Sequence, residues 1–225
     1  MPAQSRGTCA YCGYETTKGA MARHLDKCPV RQERIATAIQ GKAKPETIYH
    51  LRAQDAHAKS FWLDLEINGS AKLEAIDRYL RAIWLECCGH LSQFSVGGWS
   101  GDEIAKTRRV EAVFKSAPVL THIYDFGTSS ETLLQLVGQR TGLPTTKHPI
   151  ALMARNLMPV YPCIECGQPA THLCEECMIE HDGEGFLCAQ HVEGHPHHDY
   201  GEPIELVNSP RMGMCGYEGP ADPPY

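Results

Sequence analysis

Apolar and polar positions alternate in two stretches near the middle of the chain. In Tyr49-His50-Leu51-Arg52-Ala53 the odd positions are apolar, and Phe61, Leu63, Leu65 and Ile67 repeat the pattern a few residues on. A period of two belongs to a strand with one buried face, so both stretches are expected to be strands. Asn68-Gly69 signals a turn, and Ser70 stands where an N-cap would, ahead of Leu73, Ile76, Leu80, Ile83 and Trp84. Spacings of three and four place those five on one face of a helix running to about Trp84. Cys87-Cys88-Gly89 ends it. Residues 90–96 then read as a short strand, 97–103 as a loop, and 104–115 as a helix. Residues 119–127 and 131–139 read as two strands joined across 128–130, and a last strand is expected near residues 150–153. Two strands, a helix and further strands predict an α+β domain over residues 47–160, not a doubly wound α/β sheet.

Outside this block the regular apolar periods give way to cysteine and histidine. In GTCAYCGYETTKGAMARHLDKCPVR, Cys9 and Cys12 make a CxxC knuckle, eleven residues follow, and His24 and Cys28 lie one helical turn apart. Thiolate and imidazole are zinc donors, and four of them close a tetrahedral site. Residues 1–34 thus resemble a Cys-Cys-His-Cys variant of the two-Cys, two-His finger, with a hairpin and then a helix from about Lys18 to Cys28. Ala20, Met21 and Leu25 supply small apolar filling, so metal binding is expected to supply its folding energy. Residues 35–46, with Gly41 and Pro45, read as a linker.

Residues 163–198 hold five of the eleven cysteines and six of the twelve histidines. They come as doublets with two residues between partners: Cys163/Cys166, Cys174/Cys177, Cys188/His191 and His195/His198, with His197 competing for the last place. Only seven residues separate Cys166 from Cys174, short of the roughly 15 to 20 between knuckles of a simple two-doublet site. The expected pairing is therefore crossed, with Cys163, Cys166, Cys188 and His191 on one ion and Cys174, Cys177, His195 and His198 on the other. This interleaving over residues 161–201 resembles a B-box-type cross-brace finger, a kind of module that serves protein interaction far more often than catalysis. An iron–sulfur cluster wants four thiolates and no histidine repeat. With the N-terminal set, three zinc ions are expected, leaving Cys87, Cys88 and Cys215 over. The tail, residues 202–225, is rich in Gly and Pro and reads as a strap over the preceding finger.

Charge divides the chain into blocks. Residues 1–52 carry nine Lys/Arg against four Asp/Glu, residues 53–162 carry eleven of each, and residues 163–225 carry one against twelve. Nucleic acid is thus a candidate partner only at the front, where Arg23, Lys27, Arg31 and Arg34 give the finger a basic surface. A protein partner is the alternative there and the expectation at the acidic end. At 225 residues with 42% hydrophobic content, one ordinary core plus satellites can be buried. No segment approaches the ~20 apolar residues of a membrane span, and MPAQSRGTCAYC has no apolar run. A cytoplasmic protein is expected, where cysteines serve as metal ligands or buried thiols rather than disulfides.

The central block carries a second resemblance, on His90-Leu91 with Phe94 and on Tyr124-Asp125-Phe126-Gly127. These pieces, with the order of strand pair, helix and further strands, look like the plasmid pRiA4b ORF-3-like family, over about 100 residues. The family resemblance implies an α+β domain of uncertain biochemical role and a mobile-element setting. The chain departs from it at Phe61-Trp62-Leu63-Asp64 and after Gly127, where Thr128-Ser129-Ser130-Glu131-Thr132 stands. The run NSPRMGMCGYEGP also looks like the tail of family members that carry a zinc module.

No GxSxG, phosphate-binding glycine loop or HExxH is present, and the zinc sets as counted are full. The sharpest enzymatic candidate is His90 with His122 and Asp125, although His122 and Asp125 alternate to opposite faces of a regular strand. Cys87 and Cys88 beside His90 are candidates for metal binding or thiol chemistry, or for buried sulfur. The reading is thus a central mixed sheet-and-helix domain flanked by small zinc-binding modules, acting as an interaction or adaptor protein. The alternative is an uncharacterised enzyme with its site in the central domain.

Overall fold

The computed structural model describes residues 4–38, 44–181 and 183–225. The N-terminal unit contains β1 (Arg6–Cys9), β2 (Glu15–Thr17), α1 (Lys18–Lys27) and α2 (Pro29–Ala38). The expected linker is helical as far as Ala38, and residues 39–43 of it lie outside the described residues. The central block follows with β3 (Glu46–Asp55), β4 (Trp62–Asn68), α3 (Leu73–Leu80), β5 (Ser92–Val96), β6 (Asp102–Ile104), α4 (Val110–Phe114), β7 (Val119–Tyr124), β8 (Ser130–Gly142) and β9 (Ile150–Asn156). The fold is α+β in the broad sense and mostly sheet.

Nine strands form one antiparallel sheet in the order β2-β1-β9-β4-β3-β8-β7-β5-β6. Leu51, Leu63, Leu65 and Ile67 from the alternating strands meet Leu73, Ile76, Leu80, Ile83 and Trp84 of the helix, all fully buried. The helix does not start at a capping Ser70. Its N-cap is Lys72, with no side-chain cap bond, because the amides of Leu73 and Glu74 donate to the carbonyls of Arg108 and Lys106 at 2.9 Å. That also explains why the helix expected over residues 104–115 shrinks to α4. Ile104 pairs with Phe94, and residues 106–109 are occupied in satisfying the α3 terminus. Beyond Leu80 the helix widens into a π turn, Arg81–Leu85.

The N-terminal finger is an extension of this sheet. β1 pairs with β9 through Gly7, Thr8 and Cys9, and Ala10 N–H donates to the Met153 carbonyl at 2.8 Å. The finger also has a core, which it shares: Met21, Leu25, Cys9 and Cys28 pack with Trp62, Met153 and Ala154. Alternation along β4 does this, since Leu63, Leu65 and Ile67 face α3 while Trp62, Asp64 and Glu66 face the other way. A Cβ on Gly7 would collide with the Trp62 ring, so glycine there permits the approach of β1. Metal is therefore not the unit's sole source of folding energy, contrary to expectation.

Buried charge lines the same face. Glu66 binds Arg31 at 3.2 Å and Arg140 at 2.6 Å, and Asp64 binds Arg52 at 2.7 Å and His50 at 3.0 Å. Burial pushes both carboxyls up, but the arginines, and for Asp64 the His50 hydrogen bond, outweigh it and hold them below the usual carboxylate range. Arg31, one of the four cations proposed for phosphate contact, is thereby buried and paired.

The C-terminal module contains β10 (His172–Leu173), α5 (Glu175–Glu180), β11 (Phe186–Leu187), α6 (Ala189–Val192) and β12 (Ile204–Glu205). The three strands order as β11-β10-β12. The tail beyond β12 is not simply a strap over the finger. It runs into the central domain, where Ser209 Oγ donates to the Trp84 carbonyl in the π turn at 2.7 Å and Asn208 bonds Asn156.

Candidate metal centres

At the front, β1 delivers Cys9 and a tight knuckle delivers Cys12. The knuckle closes through Gly13 N–H to the Cys9 carbonyl, with Gly13 at φ 72°, a conformation that suits glycine. Helix α1 presents His24, and Cys28 follows at its C-cap. The four donor atoms come together: Cys12 Sγ lies 3.4 Å from His24 Nε2, and Cys9 Sγ lies 4.0 Å from Cys28 Sγ. Tyr14 stacks on the His24 ring at 4.6 Å. Burial pushes the Cys9 thiol up to about 11, so a thiolate at this position needs a cation beside it.

The second set joins Cys163, Cys166, Cys188 and His191. Cys163 Sγ and Cys188 Sγ lie 3.5 and 3.4 Å from His191 Nδ1, and Cys166 Sγ lies 3.8 Å from Cys188 Sγ. Gly167 at φ 72° repeats the knuckle turn. Burial alone would raise the Cys163 thiol, but amides of Cys188, Glu165 and Cys166 hold it down to about 6.

The third set joins Cys174, the N-cap of α5, with Cys177, His195 and His197. His198, the expected fourth donor, is outside it. Cys177 Sγ lies 3.3 Å from His195 Nε2 and 3.1 Å from His197 Nδ1. His198 instead turns its Nδ1 to Glu202 at 3.0 Å, with 59% of its side chain exposed. The segment from His195 to His198 is non-helical, and there side chains two apart share a side while side chains three apart do not. The other doublets sit on turns and helix starts, which is why their spacing does not transfer. Glu180, 3.6 Å from His197 Nε2, orients the ring as the outer partner of a ligating histidine does. Burial and the neighbouring Cys174 thiol push Cys177 up to about 12, again a sulfur that needs a cation to ionise.

The two sets in the C-terminal module are interleaved, first doublet with third and second with fourth. Each of the three sets offers four soft or borderline donors at mutual distances that one metal ion can span.

His90, His122 and Asp125 do not form one site. His122 is fully buried on Asp77, at 2.7 Å. Ser92, Arg81 and Lys106 complete that network. Burial pushes the His122 ring down; the Asp77 carboxyl, which burial alone would raise, is held below its usual range by the His122 and Ser92 bonds. Asp125 lies past the end of β7 at φ 63°, 3.4 Å from His90 Nε2 and 2.8 Å from Arg211 Nη2. The partners missed by the sequence reading, Asp77 and Arg211, lie 45 and 86 positions from the residues they bind. Nothing local announces them.

No protein family matches the chain, and no curated protein does. Among solved structures the chain is similar to a Methanosarcina mazei Go1 protein of unknown function, at 14% identity and a TM-score of 0.41, over 49% of this chain and 69% of that one. Among the described residues no helix is long and apolar enough to cross a membrane.

Proposed function

We propose that this is a zinc-stabilised interaction protein whose acidic C-terminal module meets a partner protein. The observation that carries the reading is the coincidence of two interleaved Cys/His sets with a surface lacking positive side chains. Arg211 is the one Lys or Arg after residue 162, and it is buried. Four-donor sets with no open position suit structural zinc, which supplies folding energy to a small unit rather than chemistry. Exposed Ile179 and Tyr200 stand among the acidic groups and give a partner apolar anchors, while the charge favours a basic complementary face. Thiolate-bound zinc fits a cytoplasmic setting, and the pRiA4b ORF-3-like resemblance of the central domain adds a mobile-element context.

The test is a pull-down from the native host with the full chain, the Cys174→Ser/Cys177→Ser double variant and a Glu184→Lys/Glu193→Lys charge reversal at exposed positions. A partner retained by the wild type and lost by both variants is the expected result. A partner held equally by all three, or a wild-type protein that purifies without zinc, would overturn the reading.

A further inference from the structure

Three cysteines lie outside the three sets, and the fold brings them to one place. Cys87 and Cys88 follow the π turn that ends the central helix, while Cys215 lies far along the chain in the tail. The donor atoms of Cys87, His90 and Cys215 lie within 4.8 Å of one another. Two features hold them there. Gly89 at φ 77° turns the chain between Cys87 and His90. Cys215 itself sits at φ 54°, a left-handed conformation that non-glycine residues seldom adopt.

The charge around the cluster is specific. Arg211 is fully buried, and its guanidinium donates to the Thr128 carbonyl at 2.9 Å, Ser130 Oγ at 3.0 Å and Asp125 Oδ2 at 2.8 Å. The same group faces Cys87 Sγ at 3.3 Å and Cys215 Sγ at 3.6 Å. A guanidinium has no acceptor, so both sulfurs meet it as acceptors, and Cys215 Sγ also lies 3.9 Å from Asp125 Oδ2. Arg211 and Asp125 already cancel one another, so two sulfurs bound as thiolates would be matched by one divalent cation.

We propose that Cys87, His90 and Cys215 form a fourth metal site, which binds one zinc-class divalent ion and fastens the C-terminal tail to the central domain. Two thiolates and one imidazole are a zinc donor set, and three protein ligands leave the fourth position to water or an added donor, unlike the three closed sets. Arg211 and Asp125 act as outer-shell partners that orient the sulfurs and the His90 ring. Cys88, whose Sγ lies 2.8 Å from His90 Nε2, is exposed and outside the set.

The test uses the full chain, loaded with Zn²⁺, desalted and assayed for metal per protein, and then loaded with Co²⁺ to record thiolate-to-cobalt absorption. Cys215→Ser and His90→Ala should each bind one equivalent less than the wild type, with Cys88→Ser unchanged. Cys215 is exposed, so its variant should fold, and an unchanged circular dichroism spectrum verifies this. The measured quantity is wild type minus variant, so it does not depend on how many of the other three sets are filled. Equal metal content in the wild type and Cys215→Ser, or loss in Cys88→Ser with retention in Cys215→Ser, would overturn the assignment.

Discussion

Arg211 Nη2 donates to Asp125 Oδ2 at 2.8 Å, tying the tail to the residue just past β7. Both side chains are buried, and the Arg211 guanidinium also lies over the Tyr124 ring at 4.8 Å. Removing one member of such a pair leaves the other charged and unpaired. Arg211→Met should therefore lower stability by about 3 kcal/mol, measured by urea denaturation. Limited proteolysis should cut the variant after β12. Arg211→Lys should rescue little, because an ammonium cannot reproduce the planar fork.

Glu66 sits between the finger and the sheet, with Arg31 on one side and Arg140 on the other. Its carboxyl is held below the usual range, so the stability it contributes is present above the unfolded carboxyl value of about 4.3 and is lost as pH falls through the folded value. Glu66→Gln should be less stable at pH 7 by about 3 kcal/mol. The gap between variant and wild type should close below about pH 4. Any metal released from the finger at low pH is released from both proteins, so the difference between them carries the signal. A gap that is constant with pH would refute the assignment.

Zinc content discriminates the last donor of the third set. His197→Ala should lose one equivalent and His198→Ala none, since His198 is turned to Glu202. The opposite pattern would restore the two-residue spacing that the other doublets follow.

Trp62 belongs at once to the sheet and to the finger core, and its indole N–H donates to Ser5 Oγ at 2.9 Å. Trp62→Ala should cost about 3–5 kcal/mol and should weaken zinc retention at the Cys9, Cys12, His24 and Cys28 set, whose Cys9 and Cys28 pack with it, under chelator challenge. Retention at the wild-type rate would show that the finger stands alone.

Nucleic-acid binding, if the finger provides it, must use Arg23, Lys27 and Arg34, which are exposed, and not Arg31, which is paired with Glu66. Because β1 is part of the sheet, deleting the finger would damage the fold, so charge reversal is the cleaner test. Changing those three to Glu should abolish binding, and wild-type binding should weaken steeply with salt. Binding that survives the triple reversal would place any nucleic-acid contact elsewhere.

Local order was readable in the sequence wherever one period or one spacing governs it. The alternation in β3 and β4, the spacing of Leu73, Ile76 and Leu80, and the CxxC knuckles are each decided within a few residues, by the pleat, the helical turn or the reach of one metal ion. Partners separated by long stretches of chain were not readable, because no period relates them. The pairing of β1 with β9, the shared core at Trp62, the insertion of Arg211 beside Asp125 and the meeting of Cys87 with Cys215 were decided only when the sheet assembled and its two faces were covered. His197 lies between these cases. The sequence limited the choice to two histidines, and the direction of the backbone after Pro196, set by the packed module, turned one inward and the other to solvent.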